Sequence, residues 1–313
     1  MARRSRKAAT PSVSSNPEPS GSSNGEPAAH GVGTLDVCAM LALVILLLHV
    51  DETWWVRLSL TALAISGLLF PSIRLRWEVW LVAALVVLAG DLANWESADN
   101  HKFLIGYWCL AFACALRAER RVETLATAAR WMIALAFGLA VLWKLSSGDY
   151  LDGSFFSYEL LIDPRFANVA RLFGGVTPDV LAANAAARAS LIAWDGTLTS
   201  VALEVPGALR PAVLFLTWWT LAIEVAIALG FALAPRLRAA WWRNGLLLLF
   251  VAAVYAIAPV IGFGSVLTAM GYAQCREDER RWRIAYLLGF ILLQAYRASW
   301  SVLNDAVVRV LQT

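Results

Sequence analysis

From residue 34 to residue 300 the chain is a succession of apolar runs, separated mostly by short turns that carry much of its charge. A helix needs about 20 apolar residues to cross a hydrocarbon core. Runs of that length, one after another, predict an all-α polytopic membrane bundle. The composition agrees. The chain is 59% hydrophobic and 16% charged, against roughly 25% charge in a soluble domain. Its fifteen tryptophans suit a protein with two wet-to-dry boundaries, where this side chain is favoured.

Residues 1–33 read as a disordered tail. Arg3, Arg4, Arg6 and Lys7 open it, and a Ser-, Pro-, Asn- and Gly-rich stretch follows that has too little apolar surface to build a core. No apolar run follows the basic start closely, so it is not a signal peptide. Five runs then fill 34–145, at about 34–50, 53–70, 77–95, 101–116 and 124–145. Residues 146–210 form a long polar excursion. Residues 211–303 hold a run at 211–234, one apolar block at 244–275 and a last run at 284–300. A short tail, 304–313, ends the chain.

The block 244–275 is long for one crossing and short for two. Charge decides. Arg236, Arg238 and Arg243 precede it, and Arg276, Arg280, Arg281 and Arg283 follow. Basic loops stay cytoplasmic, so the chain returns to the same side after an even number of crossings. A hairpin turning at Ala258-Pro259-Val260-Ile261-Gly262 satisfies this. About nine crossings follow, in the cytoplasmic membrane. The N-terminus is then inside, and the 146–210 excursion and the C-terminus are outside.

This topology gathers polar groups at the outer end. His49 closes the first run and Arg57 opens the second. Asp91 and Asn94 lie late in the third, Asn100 and His101 open the fourth, and Lys144 closes the fifth. A charge inside a membrane marks a functional site unless it snorkels to the headgroups. Asp91 sits several residues inside its run and wants a partner, for which Lys144, Arg57 and His101 are available. The plain alternative is a set of interhelix pairs that only hold helices together. Glu224 lies near the middle of the sixth run, about 18 Å from Ala212 at 1.5 Å per residue, and needs a polar neighbour. Arg130 is close enough to the inner end to snorkel.

The excursion carries helix signals of its own. Residues 164–173 read as a short helix closed by Gly174-Gly175. Thr177-Pro178-Asp179 is an N-cap followed by a first-turn proline, opening a helix toward Trp194. Such segments fit amphipathic helices lying on the outer face as a cap. Other chemistries find no support. The four cysteines sit in or at the end of apolar runs without a C-x-x-C pair, and with three histidines no disulfide framework or zinc site is indicated. Gly262-x-Gly264 follows no strand and is no nucleotide motif. Nothing points to nucleic acid.

Two stretches resemble a known family. Asn100-His101 follows an acidic turn and opens a run. Lys144-Leu145 closes the next, and Tyr150-Leu151-Asp152-Gly153 follows. This order is similar to the membrane domain of vitamin K-dependent gamma-carboxylases and their bacterial relatives, the horizontally transferred transmembrane domain family. Glu224 and Ile261-Gly262-Phe263-Gly264 are weaker echoes. The resemblance spans about residues 35–300. It implies that Lys144 is a base in quinol oxidation with His101 in the same site, and a reduced quinone such as vitamin K hydroquinone as co-substrate. Partial withdrawal from water favours a neutral amine, which suits that role. The carboxylases' large luminal domain is not expected after the membrane part here, so propeptide-guided carboxylation is not the expected activity. The expected function is therefore a membrane enzyme acting on a lipid or quinone-like substrate through Lys144 and His101, with Asp91, Asn100, Arg57, Asn94 and Glu224 in support. A carrier using the same polar cavity and a non-catalytic scaffold are the alternatives.

Overall fold

The computed structural model describes residues 27–49, 53–97, 100–192, 200, 202–234, 240–257 and 260–311. Among them every regular element is a helix. The first part of the bundle is α1 (Pro27–Leu48), α2 (Trp54–Leu69), the short α3 (Pro71–Arg74), α4 (Trp77–Ala93), α5 (Asn100–Arg117) and α6 (Arg121–Ser146). A layer of short helices follows: α7 (Gly148–Leu151), α8 (Ser154–Ile162), α9 (Ala167–Gly174) and α10 (Pro178–Ile192). The chain returns through α11 (Leu209–Ala232), α12 (Ala240–Ile257), α13 (Ile261–Gln274) and α14 (Arg280–Leu311).

The helices α6 and α11 are long and apolar enough to cross a membrane. They pack extensively against each other. Shorter apolar stretches occupy 33–48, 54–69 and 241–255. Two ends differ from the sequence reading. The helix α1 opens at Pro27 rather than near Thr34, because a proline suits the first helical turn and Ala28-Ala29 propagate it. The helix α14 runs on to Leu311 past the expected stop at Trp300, since residues 301–311 contain neither Gly nor Pro. The block 244–275 is interrupted between Ile257 and Ile261. Ala258 and Pro259 of the expected turn lie outside the described residues, as does most of the N-terminal tail.

The centre of the bundle is α13. Nearly all of it is buried, and it packs on α1, α5, α6, α12 and α14. Its small residues allow this. A Cβ at Gly264 or Gly271 would run into the rings of Tyr255 and Tyr286 respectively, so these glycines hold the helices at backbone contact distance. Away from this centre, Trp80 of α4 stacks on Phe112 of α5 at 4.4 Å, and Trp108 meets Phe112 edge-on. Arg74 closes the corner between α1 and α3. Its guanidinium forks onto Asp36 at 2.6 and 2.8 Å, while Trp80 Nε1 donates to the Arg74 carbonyl. The planar fork matches a carboxylate better than an ammonium would.

The excursion forms a second, smaller core. Tyr150, Phe156, Leu160, Leu161, Val169 and Ala170 bury themselves against Leu209, Val213 and Leu216 of α11. The first two turns of α11 thus belong to the cap layer. Gly153 adopts φ +89°, a left-handed conformation that costs a side chain dearly, and a Cβ there would lie 2.6 Å from Val213 Cγ1. Gly175, at φ +63°, ends α9. Thr177 Oγ1 accepts from the Val180 N–H at the start of α10. Asn184 and Glu204 exchange two hydrogen bonds, 3.0 and 2.8 Å, which tie the returning segment back onto α10.

Candidate functional site

Lys144 lies in the last turn of α6 and meets Glu224, from the middle of α11, at 2.5 Å. Both side chains are largely withdrawn from solvent, with 18% and 7% of their surface exposed. The register explains the meeting. Glu224 is fifteen residues into its helix, about 22 Å from the start, yet a lysine two residues from the end of α6 reaches it. Because the opening turns of α11 are cap rather than bundle, Glu224 lies at the cap end and not at the bundle's mid-depth. Lys144 is one of three partners the sequence offers Asp91; the carboxylate it pairs with is Glu224.

Tyr150 covers the pair. The Lys144 ammonium is 5.1 Å from its ring centroid, within cation–π range. Burial first, and then the nearby Glu224 charge, push the Tyr150 phenol well above its usual range, so it remains a proton donor. Beside the pair is a cavity of about 570 Å³, whose wall includes Trp143, Lys144, Ser147, Tyr150, Phe155 and Tyr158. Its size suits a small organic ligand; four of its eight lining side chains are aromatic, and Asp149 and Ser154 complete the wall. One oxygen of the pair is uncommitted. Glu224 Oε2 is enclosed and has no hydrogen-bond partner among the described residues.

His101, in the first turn of α5, belongs to another group of side chains. Its ring lies against the backbone of α13, where a Cβ on Gly262 would be 2.8 Å from Nε2 and 3.7 Å from His49 Cβ. His49 Nε2 faces Gln294 Oε1 at 3.1 Å. Gln294 Nε2 donates to Ser265 Oγ at 2.8 Å, and that hydroxyl donates to the Ile261 carbonyl. Arg297 Nη1 donates to the Leu48 carbonyl at the end of α1. Gly262 is what lets the His101 ring approach α13 so closely.

The other expected residues lie on α2, at the end of α4 and on α5. Asp91 is buried on α4. Asn94 Nδ2 donates to Thr53 Oγ1 at 2.9 Å and to the Gly90 carbonyl, pinning the end of α4 to the start of α2. Arg57 is exposed on α2 and so placed as a surface residue. Asn100 opens α5, and its side chain lies outside the described ones. Sequence reasoning missed Ser265 and Gln294. The signal for Gln294 was available, as a single amide inside the apolar run of α14. Tyr150 stood in the sequence as part of a motif, with no hint that it would fold back over Lys144. No three His, Cys, Asp or Glu side chains among the described residues come together as a metal site. No family model, curated protein or solved structure matches the chain.

Proposed function

We propose that this is a multi-pass protein of the cytoplasmic membrane, crossing about nine times, with the 146–210 cap on the outer face. In this reading the Lys144–Glu224 pair handles a proton on a lipid or quinone-like substrate, as the resemblance to the vitamin K-dependent carboxylase-like family implies. The observation that carries it is that Lys144, held at 2.5 Å by the buried Glu224, lines a cavity with four aromatic side chains. A lysine acting as base must first shed its proton. Glu224 is an acceptor already in place, and Tyr150 can supply a hydrogen bond to a developing oxyanion. The rings of Trp143, Phe155 and Tyr158 would hold a flat or apolar body beside the amine. A pair meant only to join two helices would need no cavity next to it.

The test uses the full chain in lipid nanodiscs. A naphthohydroquinone is added under air, and its oxidation is followed by absorbance together with oxygen uptake. Wild type is expected to accelerate oxidation, and Lys144→Ala and Lys144→Arg to lose the acceleration while the protein still folds. Equal rates for wild type and Lys144→Arg would contradict the assignment, because arginine keeps the charge and reach of an anchor but cannot serve as a base.

A further inference from the structure

A second group of cations, one buried and one half-buried, lies toward the other end of α6. Arg130 is fourteen residues before Lys144 on that helix, about 21 Å away along the axis. Phe137 of α6 meets Phe250 of α12 edge-on at 4.9 Å, and Arg130 and Arg243, each seven residues earlier on its helix, share one level of the bundle, close enough for their charges to act on each other. Arg243 is firmly held. Its Nη2 donates to Gln274 Oε1 at 3.1 Å; Gln274 Nε2 donates to Asn244 Oδ1 at 2.8 Å; and Tyr286 donates to that same oxygen at 3.0 Å. Phe231 lies 5.9 Å beneath its guanidinium. The chain has built a rigid mount for this cation.

The mount is not electrically balanced. Glu279 is the one acidic group paired with Arg243 among the described residues, at the long distance of 3.7 Å. No carboxylate among the described residues pairs with Arg130. Both Nε atoms are enclosed and have no acceptor there. Two guanidiniums that repel each other, Arg243 buried and Arg130 half-buried, each with an enclosed donor left over, are suited to hold an anion between them. The guanidinium fork fits two oxygens of a phosphate. We propose that Arg130 and Arg243 form a binding site for an anionic phosphate group, separate from the Lys144 site. The phosphate belongs to an anionic phospholipid or to free phosphate. The lipid source rests on the membrane reading; the site itself does not.

The experiment takes the full chain purified in detergent and stripped of lipid. Phosphatidylglycerol or phosphatidylcholine is added and retention is read by native mass spectrometry. In parallel, thermal unfolding is measured in sodium phosphate and in sodium chloride of equal ionic strength. Wild type should retain phosphatidylglycerol over phosphatidylcholine. Arg130→Gln and Arg243→Gln should each weaken retention roughly tenfold, the loss of about one charge-assisted hydrogen bond. Arg171→Gln, on the exposed side of α9, should not. A phosphate-specific rise in unfolding temperature without lipid retention, absent in Arg130→Gln, would assign the site to free phosphate. Arg130→Lys keeps the charge without the fork and covers the case in which the glutamine variant fails to fold; it should bind more weakly than wild type. Equal lipid retention and equal phosphate response in wild type and the Arg130 variants overturn the proposal. Whether the chain stays in alkali-washed membranes tests the membrane reading by itself.

Discussion

Lys144 Nζ stands 2.5 Å from Glu224 Oε1, a contact between residues eighty positions apart that ties the last turn of α6 to the middle of α11. Each group gives the other its reason to be withdrawn from water. Removing one alone strands a charge, and removing both does not. Lys144→Met is expected to cost roughly 2–4 kcal/mol of unfolding free energy, and the double variant Lys144→Met with Glu224→Leu to recover a large part of it. Chemical unfolding in detergent checks this. A double variant less stable than Lys144→Met would show the pair to be unimportant to folding.

The close approach of His101 to α13 is tested at Gly262. A methyl group there would lie 2.8 Å from His101 Nε2. Gly262→Ala is expected to destabilise by roughly 1–3 kcal/mol through overpacking. Gly138, in α6, faces open space, with nothing within 4 Å of where a methyl group would sit. Gly138→Ala should therefore stabilise by roughly 0.5–1 kcal/mol through helix propensity. Thermal unfolding of the two variants should move in opposite directions.

The cap depends on Gly153. Its φ of +89° and its contact with Val213 both exclude a side chain. Gly153→Ala should cost roughly 1–2 kcal/mol from the backbone alone, and more from the clash. Trimming the neighbour, as Gly153→Ala with Val213→Ala, should return only the steric part. Limited proteolysis across residues 146–208 reports it, with faster cleavage in the single variant.

Acid should loosen the same layer. Burial raises the Asp163 carboxyl, but hydrogen bonds from the Arg165 side chain and N–H, together with its charge, outweigh this and hold Asp163 below the usual carboxylate range. A lowered acid contributes stability that is whole above about pH 4 and is lost as the pH falls below that. Glu159 opposes it, being raised by burial and by the Asp163 charge. In a Glu159→Gln background, proteolysis of the cap should therefore speed up between about pH 4 and pH 2. The further change Asp163→Asn should flatten that dependence.

The helical class was legible because the apolar runs are long and their breaks are marked. Pro178 and Gly175 placed two cap helices to within a few residues. The boundaries at Pro27 and Leu311 were not legible, since helix continues wherever nothing stops it, whatever the local hydropathy. The partner of Lys144 was hidden for a related reason. Counting from the run's first residue put Glu224 at mid-depth, whereas packing assigns the opening turns of α11 to the cap and lifts Glu224 toward Lys144. The group of His49, Ser265 and Gln294 joins the end of α1 to the last two helices, with His49 and Ser265 216 positions apart, and no local pattern links them.

The most direct test of the account is reagent access to the cavity wall at Ser147. Ser147→Cys in a Cys114→Ser background removes the exposed native thiol; the other three cysteines are buried. A membrane-impermeant maleimide is applied to intact cells. The account predicts labelling without lysis, slowed when a naphthohydroquinone occupies the cavity. Labelling that requires lysis, or that is indifferent to the ligand, would contradict an outward-facing Lys144–Glu224 site.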